Sequence, residues 1–264
     1  MTGRSLKGVG SYRKIGAAAI SIAVFLLIWQ LAVMFTDVGI VMVGPVEVIG
    51  RFFVSMVEPI GHDTIQMHIL WSLSRVMTGF ILGSVLGIVL GILMGWFRPM
   101  NALFRPLYEI IRPIPPIAWI PLSIVWFGIG EPSKYFIIFL AAFSAITMNA
   151  FAGVKAVDPE LIGAARMLGA NNRQVFTTIV LPSCVPHIFA GLQIAIGSSW
   201  ATVVAAEMVR ASQGVGWVII RGQDSNSTVQ IMVGIVAVGI VGFALAVLMR
   251  WIEARLCAWN VRGK

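Results

Sequence analysis

Charged side chains are scarce in this chain: Asp, Glu, Lys and Arg together make up 11% of its 264 residues. A water-soluble domain carries about 25%, so a soluble globular fold is excluded at the outset. Cysteine is scarcer still. Cys184 and Cys257 are too few for a disulfide framework and stand at no metal-ligand spacing. His62, His68 and His187 form no cluster with them, so no metal is expected. The rarity of lysine decides a question of energy supply. A phosphate-binding loop needs Gly-Lys-Ser/Thr after a glycine-rich turn. Of Lys7, Lys14, Lys134, Lys155 and Lys264, only the last follows a glycine, and no Ser or Thr comes after it. Nucleotide hydrolysis is therefore expected from a separate subunit. Paired carboxylates, a nucleophile elbow and zinc spacing are missing as well. That argues against an enzyme and leaves no catalytic residue to name.

Apolar residues dominate instead, at 58% of the chain, and the mean hydropathy is +0.92. The net charge of +8 flanks the apolar runs and forms no dense stripe. It suits basic residues beside anionic lipid better than nucleic acid. The runs predict an all-α membrane protein with six transmembrane helices. Residues 15–35 are long enough to cross the hydrocarbon core, and without a convincing cleavage site they read as an uncleaved first helix. A connector at 36–70 contains a short amphipathic helix over 45–57. Residues 71–96 form the second span, with Gly79, Gly83, Gly87, Gly91 and Gly95 recurring every four residues. Such a row lets a neighbouring backbone approach closely, either within the chain or across a dimer.

Pro99, Pro106, Pro113, Pro115 and Pro116 crowd the next stretch. Proline at that density breaks a straight helix. In lipid, irregular backbone persists only where protein or a water-filled cavity covers it. The third segment, ending near Gly130 and carrying Trp119 and Pro121, is therefore expected to be a kinked helix facing inward. Residues 135–157, 188–208 and 229–248 supply the remaining spans, with a polar outer loop over 210–228. The organisation that follows is a cytoplasmic tail at 1–14, the first helix and its periplasmic connector, a core at 71–250, and a cytoplasmic tail at 251–264.

With the N-terminus inside and six spans, Arg4, Lys7, Arg13, Lys14, Arg98, Arg105, Arg112, Lys155, Arg166, Arg173, Arg250, Arg255, Arg262 and Lys264 fall on the inner side. Arg51, Arg75, Lys134, Arg210 and Arg221 fall outside or at its boundary. Fourteen against five is the direction the positive-inside rule demands.

One polar interruption stands apart: residues 158–186, DPELIGAARMLGANNRQVFTTIVLPSCVP. Asp158 can cap a helix that Pro159 begins, Gly169 offers a left-handed end, and a second short helix runs from about Asn171 to Val180, where Pro182 and Pro186 end it and start the next segment. Two short helices joined at a glycine make a compact knob outside the lipid. The spacing Ala164-Ala165, Gly169, Ile179, Leu181-Pro182 resembles the EAA loop of ABC-importer permeases. Residues 112–134, RPIPPIAWIPLSIVWFGIGEPSK, with the later VVAAEM and GVGW runs, resemble the taurine, nitrate, sulfonate and bicarbonate branch of that family. The likeness covers about residues 70–260.

That resemblance implies the type I importer permease fold, with the loop at 158–182 docking into a groove on a cytoplasmic ATPase. It also implies two ATPase subunits, which carry the ATP and Mg that this chain lacks, a second permease copy in a homodimer, and a periplasmic substrate-binding protein. The family's Glu is Gly163 here, so its salt bridge is absent or supplied by Glu160. The implied solute is a small anion or zwitterion: taurine or another sulfonate first, then nitrate, bicarbonate, cyanate or an aromatic acid.

Several polar residues in the spans are candidates for a translocation path: Trp119, Asn149, Ser198, Ser199, Trp200 and Glu207. The alternative for the serines and for Asn149 is ordinary helix–helix hydrogen bonding. For Glu207 it is a structural pair with Arg75 or Arg210, or a bond to a helix N-terminus in the outer loop. A bare carboxylate repels an anionic solute, which favours the structural role. A stand-alone secondary transporter or channel is the competing function. It leaves the knob at 158–182 without a role and calls for midplane charges that are few here.

Overall fold

The computed structural model describes residues 6–40 and 42–257, and they are helical almost throughout. In chain order the helices are α1 (Leu6–Phe35), α2 (Pro45–Val54), α3 (Ile65–Trp96), α4 (Arg98–Ile111), α5 (Ile120–Phe127), α6 (Glu131–Lys155), α7 (Pro159–Met167), α8 (Asn172–Val175), α9 (Leu181–Arg210), α10 (Val215–Asp224) and α11 (Thr228–Leu256). Five stretches are long and apolar enough to cross a membrane: Gly16–Phe35, Ile65–Trp96, Glu131–Lys155, Asn172–Val209 and Thr228–Leu256. A sixth candidate is a bent pair: α4 and the stretch Pro116–Phe127, apolar enough together, meet at 86°, as in a broken span or a re-entrant loop. The expected tails fall partly outside the description, at residues 1–5 and 258–264.

The centre of the bundle is α3 against α6, and the glycine row is what brings them together. Gly79, Gly83, Gly87, Gly91 and Gly95 face Ile138, Ala142, Ile146, Ala150 and Val154 in turn. Both sets advance by four residues in the same direction, so the two helices run parallel. A Cβ at Gly83 would stand 2.7 Å from the Cβ of Ala142, and one at Gly79 would stand 2.6 Å from Ile138 Cγ2. All five glycines are buried. The row is therefore covered by α6 of the same chain.

Parallel neighbours need a crossover, and the broken α4–α5 segment supplies it. Helix α9 then returns antiparallel to α6. Gly191 meets Asn149 and Ile146, while Gly153 meets Cys184 and His187. Helices α10 and α11 close the far side, with the Trp200 indole N–H donating to the Val238 carbonyl at 3.0 Å. The core this encloses joins Ile138, Ile146, Trp200, Val203, Val218 and Val233.

Three expectations need correction. The second short segment gives way at Val180 and Pro182 starts the next helix as expected, but Pro186 marks no boundary. After a π-turn at Phe176–Val180 the chain runs on as α9 with Pro182 in its first turn, where no N–H is required. Pro186 lies inside the helix, where neighbouring helices cover the freed backbone. Residues 210–228 are not simply a polar loop: they contain α10, whose Val215 and Val218 are buried. Finally, α3, α6, α9 and α11 all extend past the apolar runs. Helix α3 thus begins at Ile65, inside the stretch read as connector.

Candidate functional site

The knob is built by local signals that succeed one another along the chain. The Asp158 carboxylate accepts from the Glu160 N–H at 2.8 Å and caps α7, with Pro159 behind it. At the other end, Gly169 takes φ +86°. The Gly169 N–H reaches the Arg166 carbonyl and the Ala170 N–H reaches the Ala165 carbonyl, each at 3.0 Å. This is the Schellman pattern, which left-handed glycine makes possible. Asn171 then opens α8 through a capping box. Its side chain accepts from the Gln174 N–H at 2.9 Å, and the Gln174 side chain accepts from the Asn171 N–H at 2.8 Å. The Asn-x-x-Gln spacing of 171–174 was the legible signal for that turn.

Underneath, Val154, Val157, Val175, Val180 and Cys184 form a small core with Trp96, Ala165 and Ile179 packed against it. The knob is thereby fixed to the C-terminal ends of α3 and α6. Its outward side is apolar at the tip: Met167 is 86% exposed and Leu168 is 90% exposed. Glu160, Ala164 and Pro182 are exposed, while Ala165, Ile179 and Leu181 are half-buried. Around Gly163 a Cβ would meet nothing within 4 Å.

At the opposite end of the bundle, near the N-terminal ends of α3 and α6, charges cluster, with Arg75, Lys134 and Glu207 buried and Glu131 partly exposed. Arg75 Nε and Nη2 donate to the two oxygens of Glu131 at 2.6 and 2.9 Å. Its Nη1 donates to Glu207 at 2.7 Å and to the Gln213 carbonyl at 2.8 Å. Lys134 adds a bond to Glu131 at 2.9 Å. The cluster of two cations and two carboxylates is neutral, as burial requires. Glu207 also accepts from Ser72 and from the Gly216 N–H at the start of α10, the latter at 3.0 Å.

Helix α3 meets the α9–α10 turn one side chain at a time. Ser72 accepts from the Val215 N–H at 2.9 Å, and His68 Nδ1 accepts from the Gly214 N–H at 3.1 Å. Since Nδ1 accepts, Nε2 carries the proton and donates to the Ile60 carbonyl at 3.0 Å. Gly214, at φ +113°, would drive a Cβ into the Glu207 carboxylate, and Gly216 would drive one into the Val204 carbonyl. The VVAAEM and GVGW runs, apart in sequence, meet here.

The path candidates do not converge. Glu207 and Trp200 are buried with their polar atoms used inside the chain, so Glu207 takes the structural pairing with Arg75. Arg210 lies outside the described side chains. Asn149 donates to the Ala145 carbonyl at 2.8 Å and Ser198 to the Ile194 carbonyl at 3.0 Å, both on their own helices. Ser199 is fully buried, and its hydroxyl has no partner among the described residues. Trp119 is different. It lines a cleft of about 350 Å³ between α4 and α6, together with Tyr108, Arg112 and Ser144. The positive-inside reading put Arg112 at the inner surface. Here it lies beside Leu140 and Ser144. Ser144 stands about 20 Å of helix rise from Glu131 and about 17 Å from Lys155. Arg112 also lines a smaller cavity with Thr147, Met148 and Phe151, toward the Lys155 end of α6, along which α4 runs antiparallel. The pairings of Glu131 with Arg75, Ser72 with Glu207 and His68 with Gly214 escaped the sequence reading because partners far apart in the chain have no shared periodicity.

Five long apolar helices, one broken segment and a knob at one end make a nearly all-helical bundle fit to span a membrane. A solved structure shares it: the inward-facing MetNI methionine ABC transporter superposes with a TM-score of 0.59 at 20% identity, covering 71% of this chain and 94% of that one. Residues 67–257 match the family described as the binding-protein-dependent transport system inner membrane component, and the chain belongs to it. Among its relatives are the taurine transport system permease protein TauC of Escherichia coli (strain K12), 33% identical over 242 residues, or 91% of this chain and 88% of that protein. The nitrate import permease protein NrtB of Synechocystis sp. is 34% identical over 246 residues, or 91% and 89%. The chain is thus the permease component of an ABC importer.

Proposed function

We propose that this permease moves a small anionic or zwitterionic solute from the periplasm to the cytoplasm by alternating access, driven through α7 and α8. The observation that carries the reading is the apolar tip, Met167 and Leu168, held on a capped and Schellman-closed turn. An exposed apolar tip on a stiff mount suits docking into a partner's groove. Two cytoplasmic ATPase subunits grip the tips of two identical permeases. Closure of the ATPase pair rotates the permeases as rigid bodies. A loaded periplasmic binding protein acts at the opposite end, and coupling between the two faces is reciprocal.

The orientation rests on the positive-inside asymmetry. Taurine or another small sulfonate is the first choice of solute. Nitrate is the second reading, since taurine and nitrate permeases stand at nearly equal identity to this chain. The test is co-purification and reconstitution with the cognate ATPase and binding protein. Uptake is expected to need ATP and both partners. Uptake by the permease alone down an ion gradient sinks the proposal.

A further inference from the structure

Helix α2 presents faces of three different kinds. Val48 and Phe52 are buried, and Phe52 joins the core beside Ile60 and Ile65. Glu47 and Arg51 are exposed on a second side, where Arg51 pairs with Glu58 at 2.8 Å. Val46, Ile49 and Phe53 make a third strip, exposed by 72%, 44% and 61%, and Val57 follows in the turn beyond the helix. A helix turns about 100° per residue, which sets the three sides roughly a third of a turn apart.

Both ends of α2 are moored to membrane-spanning helices. At its start, Gln30 Oε1 accepts from the Val46 N–H at 3.5 Å, and a Cβ at Gly44 would stand 2.8 Å from the same oxygen. Gln30 precedes the last residue of α1, Phe35, by about 7.5 Å of helix rise. At the other end, the N–H of Ile65, the first residue of α3, donates to the Ser55 carbonyl at 3.0 Å. Just ahead of α2, Met42 shares an apolar cavity with Trp29 of α1 and with Met232, one turn into α11. Helix α2 therefore lies across the ends of three spans, at the depth where hydrocarbon gives way to water.

On the reading that α1 crosses the bilayer, we infer that α2 is an interfacial helix. Its Val46, Ile49 and Phe53 strip dips into the acyl-chain boundary of the leaflet at that end of the bundle, with Glu47 and Arg51 on the water side. The occupant of the strip is the lipid surface itself, held by apolar contact. Arg51 is already paired with Glu58, and Glu47 is an acid, so this helix offers no attraction to anionic headgroups.

The test places single cysteines, Ile49→Cys, Glu47→Cys and Phe25→Cys, against a background in which Cys184 and Cys257 are buried. Each is labelled with bimane on the permease–ATPase complex in phosphatidylcholine nanodiscs, plain or brominated along the acyl chains. Bromine should quench the Ile49 label several-fold more than the Glu47 label, and iodide in the water should do the reverse. Replacing part of the lipid by phosphatidylglycerol should change neither; a dependence on it overturns the apolar recognition. Iodide quenching of Ile49 as strong as that of Glu47 overturns the inference, because the strip is then in water. So does shielding of Ile49 from both quenchers, which assigns the strip to a second permease copy. Loss of the bromine quenching when the periplasmic binding protein is added overturns it too, by assigning the strip to that protein. The Phe25 label separates the two readings. Free access of iodide to Phe25 sinks the crossing of α1, whereas a shielded Phe25 with a wet Ile49 sinks the interfacial helix alone.

Discussion

Gly169 sits at φ +86° with nothing within 4 Å of where a Cβ would lie, so a side chain there costs conformation and not space. Valine in the left-handed region is unfavourable by about 1–2 kcal/mol, whereas asparagine visits it readily. Gly169→Val is expected to let ATP hydrolysis proceed while uptake falls, and Gly169→Asn to keep both. Transport by the valine variant at the unaltered rate argues against a stiff mount. Arg75 gives a second prediction at this scale. Removing one partner of a buried ion cluster costs about 3–5 kcal/mol, and Arg75 serves two carboxylates. Arg51 pairs with Glu58 in an exposed site, with side chains 47% and 59% accessible, where about 1 kcal/mol is the ceiling. Thermal unfolding in detergent should therefore show a much larger loss for Arg75→Met than for Arg51→Met. Equal losses contradict the enclosed cluster.

At the scale of elements, α3 and α6 owe their close approach to residues without side chains. Gly83→Val adds bulk where even a Cβ lies 2.7 Å from Ala142, and overpacking of this kind costs about 1–3 kcal/mol. Gly239→Val, on α11 with nothing within 4 Å, should be nearly neutral in the same unfolding assay. A neutral Gly83→Val contradicts the parallel packing. The glycine row was plain in the sequence because its period matches a helix face. Its partner was not, since Ile138 to Val154 look like any apolar run. Likewise the prolines of 99–116 announced a broken segment, but not an 86° bend. Helix α10 was hidden because its polar flanks outweigh its two buried valines.

Across the whole molecule, local chemistry was legible and long-range pairing was not. Asp158, Pro159 and Gly169 act on their immediate neighbours, so their roles could be read directly. The Arg75 cluster draws on α3, α6 and α9, and only the fold brings Glu131 and Glu207 to one guanidinium. The two ends of the bundle have different characters as a result. One is welded by charge, while the other presents Met167 and Leu168 on a stiff stalk. The most direct test of force entering through that stalk is to label Leu168→Cys with a membrane-impermeant maleimide. The native background is low: Cys184 and Cys257 are buried, and burial followed by the Glu253 carboxylate pushes the Cys257 thiol up. The account predicts labelling in inside-out vesicles alone, with protection when the ATPase is bound. Labelling from the outer side, or labelling that the ATPase leaves unchanged, contradicts it.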